Sequence, residues 1–262
     1  MKLQRASSVR WLALTLLICA SAGQAAEPRV APVIAQLDLL TTNLSVELTE
    51  QLRTNVVVGS YTTVWRQFED VSIAALREIL LQRIPELQRE NFDAGDAAPG
   101  QEKNRLADLA IHCGTNTIEI SIKATRNTRQ PENDLGTFRD YEKRRRQFAA
   151  SFTLWVRYTE AESAFRAERV FFDRTWRFVG KSSLVDGVKY RKKDGNLRPK
   201  PWAMFDSGTA FWSDETEFAA AVQRSQNFRA NALVQEYLQN LTEEDQRLLH
   251  DRLHEKFTVP PP

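Results

Sequence analysis

Apolar residues recur along this chain with two different periods. Val33, Ile34, Leu37, Leu40, Leu44, Val46 and Leu48 fall at helical spacing over residues 33 to 53. Val64, Phe68, Val71, Ala75, Leu76, Ile79 and Leu80 do the same over residues 64 to 84. Pro85 ends that second helix, because proline lacks the N–H of the ladder and its ring collides with the preceding turn. A polar stretch bearing Gly and Pro, residues 91 to 104, reads as an exposed loop. The period then falls to two. Residues 106 to 113 and 117 to 124 read as two strands, with Gly114 and Thr115 making a tight turn between them, so the pair forms a hairpin. Residues 151 to 158 and 168 to 179, rich in aromatic and branched side chains, read as two more strands. The charged stretch between, from Gly136 to Phe148, predicts an inserted helix. Helices return at 215 to 238 and 242 to 256, the latter started by Thr242 with Glu243 and Glu244 in its first turn. Helices, then strands around an inserted helix, then helices again predict a mixed α/β or α+β domain.

One apolar run fits neither period. Trp11 to Ala20 gives about ten apolar residues, preceded by Lys2, Arg5 and Arg10 and followed by the small residues of Ser21 to Ala26, the three-part pattern of a cleavable export signal. It is about half the roughly 20 residues needed to cross a bilayer. Residues 1 to 26 are therefore expected to be removed, leaving 27 to 262 as one domain in the periplasm or outside the cell, with no stable membrane association. A start codon assigned too far upstream would instead leave the protein in the cytoplasm. Without the signal, 33 basic residues face 34 acidic ones, so net charge points to no partner. Cys113 is then the one cysteine left, which excludes an intramolecular disulfide despite an oxidising destination.

The alternation in residues 105 to 124 sorts side chains by face. Ile118, Ile120 and Ile122 point one way, and Glu119, Ser121 and Lys123 the other. A turn at Gly114–Thr115 pairs residue 112 with 117, 110 with 119 and 108 with 121, which sets Asp108 opposite Ser121. Opposed residues lie roughly 4.5 to 5.5 Å apart at Cβ, so Asp108, Glu119, Ser121 and Lys123 share one small patch. Two carboxylates so close repel each other, and a divalent metal with oxygen ligands relieves this. A lysine beside such a metal can orient or help deprotonate a water for in-line attack on a phosphodiester. The plain alternative is a solvent-facing strand on which Glu119 and Lys123 form an exposed ion pair worth about 0 to 1 kcal/mol. His112 reads as an exposed hairpin residue and Cys113 as inert. Three histidines in the whole chain argue against a histidine-based zinc site.

At these residues the chain resembles the PD-(D/E)XK nuclease superfamily, and within it the type II restriction endonuclease-like proteins. The likeness rests on Asp108 in one strand, on Ser121-Ile122-Lys123-Ala124 ending the next, and on Phe68-Glu69 near the start of a preceding helix. It covers residues 65 to 180. The resemblance implies a central mixed sheet flanked by helices, Mg²⁺ or Mn²⁺ as cofactor, DNA as partner, Asp108 as metal ligand, Lys123 as catalytic lysine and Glu69 as accessory acid. It also permits a homodimer. The chain departs from the pattern at Ser121, where the family has Asp or Glu. Glu119, one step away on the same face, is the expected substitute as second metal ligand, with Glu132 and Glu142 in reserve.

Local charge adds a polyanion surface. Residues 189 to 202 hold Lys189, Arg191, Lys192, Lys193, Arg198 and Lys200 against one acid, between Tyr190 and Trp202; cations neutralise phosphates and aromatics stack on bases. Arg126 and Arg129 extend the set, with Lys143 to Arg146 nearby on the inserted helix. Trp155, Trp176, Phe171, Phe172 and Phe178 stand at strand spacing and read as core. The sequence thus points to an exported metal-dependent endodeoxyribonuclease. The competing readings are a non-catalytic nucleic-acid binder on the same fold, and a periplasmic protein-interaction module using the helical ends.

Overall fold

The central strand of this protein is buried on both faces, and that decides where its chemistry can sit. A computed structural model describes residues 28–54, 56–57, 64–94, 107–126, 128–161 and 164–258. The export segment and most of the loop expected at 91 to 104 fall outside them. Two helices come first, α1 (Val30–Arg53) and α2 (Val64–Arg83), with the two-residue strand β1 (Val56–Val57) between. Most of the stripes read from the sequence are buried, Val33, Leu37, Leu44 and Leu48 on α1 and Val64, Phe68, Leu76, Ile79 and Leu80 on α2; Leu52 joins them on α1, while Val46 is 60% exposed on the outer side of that helix. A short 3-10 turn leads into β2 (Phe92–Ala94), a strand where a loop was expected; it pairs with β3. Three residues in a polar segment carry no periodic signal, and the partner strand selects their conformation.

The hairpin β3 (Leu109–Cys113) and β4 (Asn116–Arg126) has the expected register, with His112 opposite Thr117 and Ala110 opposite Glu119. Gly114 takes φ +59° at its turn, a left-handed geometry glycine adopts without steric cost. Helix α3 (Phe138–Gln147) then carries the chain to β5 (Ala150–Ala161), which lies parallel to β4, as such a crossover allows. β6 (Ala164–Arg174) returns antiparallel and gives way to a 3-10 turn at Thr175–Phe178, so the strand expected at 168 to 179 starts and stops earlier. The six-stranded order is β1-β6-β5-β4-β3-β2, a mixed sheet flanked by helices.

One core lies between α1, α2 and the sheet, and it takes in Ile118, Ile120 and Ile122. A second core covers the opposite face. There Trp155 and Phe171 meet Phe178, Phe138 and Leu197, together with α4 (Trp202–Asp206) and the first turns of α5 (Glu215–Gln239). Trp155, Phe171, Phe172 and Phe178 are buried as expected, and Trp176 packs against the second core. α6 (Glu243–Thr258) follows α5. Among the described residues no helix is long and apolar enough to cross a membrane. The face of β4 expected to be open is therefore roofed, and Glu119 and Ser121 are only 1% and 4% exposed.

Candidate functional site

β4 becomes accessible again at its C-terminal end. Lys123 and Arg126 there line a cleft of about 500 Å³ with Trp65 and Glu69 of α2, Tyr158 of β5, and Glu132, Asn133 and Asp134 from the loop before α3. Asp108 is fastened beside this cleft by main-chain geometry. Its N–H donates to the Ile120 carbonyl at 3.1 Å, just before β3 begins. Its Oδ2 accepts from the Ile122 N–H at 2.6 Å and from the Ser121 hydroxyl at 3.1 Å, and the Lys123 ammonium stands 3.9 Å from the same oxygen. Ser121 is thus a group that positions Asp108, set opposite it as the hairpin register requires.

Glu69 joins the pair from α2. Its neighbour Phe68 is buried and stacks on Tyr158 with ring centroids 4.9 Å apart, which locks the helix face that turns Glu69 to the cleft. Burial pushes the Glu69 carboxyl up to about 8, Asp108 pushes it further the same way, and Lys123 pulls against both. Asp108, Lys123 and Glu69, expected from three separate segments, are brought together. Glu132 lines the same cleft, whereas Glu142 sits on α3 and does not.

Glu119 requires a correction. Both of its oxygens are already held: Oε1 accepts from Arg144 Nε at 2.8 Å and Oε2 from the Ser151 hydroxyl at 2.7 Å. Arg144 also donates to the Leu135 carbonyl at 2.8 Å. Burial still drives the Glu119 carboxyl upward, opposed by Arg144 and the Ser151 bond. The expected second metal ligand is therefore one half of an ion pair under the second core, because β5 and α3 cover this part of the strand. Arg144 went unrecognised within Lys143 to Arg146. A usable signal was its place three residues beyond Tyr141, itself three beyond the buried Phe138, along one side of a short helix. Among the described residues no group of three His, Cys, Asp or Glu side chains is placed to hold a metal ion.

The basic segment is sorted by its partners. Arg191 pairs with Asp194 and, at 3.0 Å, with Asp134; Arg198 also pairs with Asp134. Lys200 is 3% exposed, donates to the Thr209 carbonyl, and lies over the Phe178 and Phe205 rings, so it is unsuited to the phosphate contact expected of it. Burial lowers its ammonium to about 8. Lys192 and Lys193 are exposed and Lys189 is half-buried, while Arg126, the last residue of β4, and Arg129 beyond it are exposed. Asp134, which ties the basic hairpin to the cleft wall, was not singled out in the sequence.

No family model matches the chain, and no curated protein matches it. Among solved structures it is similar to one described as NlaIV restriction endonuclease, with a TM-score of 0.45 and 13% sequence identity, covering 69% of this chain and 77% of that chain.

Proposed function

We propose that this protein is an exported, metal-dependent endonuclease that hydrolyses DNA phosphodiester bonds. The observation that carries the reading is the meeting of Lys123 and Glu69 in one open cleft, with Asp108 beside it 3.9 Å from the Lys123 ammonium and acting electrostatically on Glu69. A half-buried carboxyl driven to about 8 beside a second carboxylate is a donor pair that a hard cation relieves, and Mg²⁺ is commonly held by one or two carboxylates with water and substrate oxygens completing its shell. Asp108 and Glu69 would hold it, with Mn²⁺ as a substitute, and the bound ion supplies Lewis-acid stabilisation of charge on the scissile phosphate. Lys123 stands in an ion pair 3.9 Å from Asp108, too long for a hydrogen bond, so its ammonium protons would be available to orient an attacking water or a phosphate oxygen. Arg126, at the rim of the cleft, supplies charge for the flanking phosphates.

One observation favours the non-catalytic reading: a single oxygen of Asp108 serves Ser121, Ile122 and Lys123, the pattern of a carboxylate that fastens a hairpin. A plasmid-nicking assay separates the two. Nicking that requires Mg²⁺ or Mn²⁺, stops with EDTA and is lost at least 100-fold in Lys123→Ala is the expected result. Folded protein that binds the plasmid but leaves it uncut with every divalent ion would replace catalysis by binding.

A further inference from the structure

A second groove, of about 410 Å³, lies on the basic hairpin. Lys181, Lys189, Lys192 and Lys200 line it with Tyr190 and Phe211, and no Asp or Glu is among its described lining residues. Its frame is rigid. The Lys189 N–H donates to the Gly180 carbonyl, its own carbonyl accepts from Arg198, and the Lys189 stem crosses Gly180 so closely that an added Cβ would stand 3.3 Å from it. From the other side, Arg229 of α5 donates to the carbonyls of Lys192 and Lys193 at 3.0 and 3.1 Å. Lys181 has Asp186 at 3.1 Å, and Lys200 is buried in the floor, which leaves Lys189 and Lys192 to meet a ligand. The same hairpin is bolted through Arg191 and Arg198 to Asp134 in the wall of the first cleft.

We infer that this groove binds a single strand of DNA, phosphates to Lys189 and Lys192 and an unpaired base to Phe211 and Tyr190. The inference rests on the nuclease reading for its choice of polyanion. Lysines serve phosphates as point charges without demanding one geometry. Half-exposed aromatic faces reach bases only where those bases are not stacked inside a duplex, and base stacking tolerates any sequence. The volume suits a ligand of about nucleotide size rather than the flank of a double helix.

The test is fluorescence anisotropy of the purified full chain with a labelled 12-nucleotide oligothymidylate, a duplex of equal length, and EDTA present throughout. Wild-type protein should prefer the single strand. Lys189→Gln with Lys192→Gln should weaken that binding about tenfold and lower the log–log salt slope by about 1.4, since each phosphate contact on a single strand contributes roughly 0.7. Phe211→Ala should cost about tenfold more, within the range of a lost stacking contact. Unchanged affinity and slope in the double lysine variant would overturn the inference, as would equal binding of duplex and single strand. Sedimentation with phosphatidylserine vesicles and no oligonucleotide binding would overturn it in favour of a membrane surface. If wild type nicks plasmid while the lysine variant binds normally, the groove fails and the nuclease stands; binding that needs these lysines without any nicking has the opposite meaning.

Discussion

Glu119 is a fully buried carboxyl on β4 and Glu69 a half-buried one on α2 at the end of the same strand, and their surroundings give them opposite tasks. Among the described residues no cation forms an ion pair with Glu69, and burial lifts its carboxyl to about 8 in the fold against 4.5 for an ordinary glutamate. The folded state therefore binds this proton more tightly than the unfolded chain does between those values. The associated stability is full below about pH 4.5, declines as pH rises, and is gone above about 8. Glu69→Gln should accordingly melt with wild type near pH 5 and about 4 to 8 °C above it at pH 9. That corresponds to about 2 kcal/mol, roughly half of what the full shift implies because water reaches part of the carboxyl. Added Mg²⁺ at pH 8 should raise the wild-type midpoint and leave that of Glu69→Gln unmoved; equal shifts would remove Glu69 from the metal site. Glu119 instead has Arg144 and Ser151. Arg144→Ala strands a buried charge and should lose about 3 to 5 kcal/mol in urea unfolding. Asp108 and Lys123 were legible because the hairpin's alternation and turn place them, whereas Glu69 came only from the family resemblance at Phe68-Glu69. The fate of Glu119 was not legible, because its partner lies 25 positions away on another element.

Helices α1 and α2 were readable because an apolar stripe of five or more residues is a redundant signal. α3 is short and highly charged, and its ends do the specifying. Thr137 Oγ accepts from the Asp140 N–H at 3.1 Å while Asp140 Oδ2 accepts from the Thr137 N–H at 2.8 Å, and Gly136 before them takes φ +90°. Thr137→Ala should cost about 1 kcal/mol and lower the thermal midpoint by a few degrees. The edge of β6 is protected by a device no periodicity reveals. Ser45 and Thr49, one turn apart on α1, accept from the Phe172 and Val170 N–H groups at 2.9 Å while donating to carbonyls of their own helix. Thr49→Val keeps the shape, orphans a buried N–H, and should cost about 1 to 3 kcal/mol, with faster amide exchange at Val170 as its local sign. A covered edge also removes a site of strand-to-strand aggregation.

Over the whole molecule, stability resides in two cores on either side of one sheet, and among the described side chains neither includes any from α6 or from α5 beyond Ser225. Truncation after Asn240 should therefore move the thermal midpoint by less than about 2 °C, whereas a loss approaching 10 °C would show that α6 anchors the fold. The cleft and the basic groove flank the hairpin held by Asp134, so Asp134→Ala is expected to weaken DNA binding and nicking together without touching either ligand set. The sequence by itself determined the periods of the helices and strands, the hairpin register, and hence the setting of Asp108 against Ser121, because these depend on neighbours within about twenty residues. Only the tertiary structure decided that β5 lies parallel to β4, that Glu119 is buried with Arg144, and that Arg191 and Arg198 are spent on Asp134 while Lys189 and Lys192 are not. The physical reason is that burial and charge pairing belong to surfaces brought together from distant parts of the chain. A side chain's type says what it can bond, and the fold says which partner reaches it first.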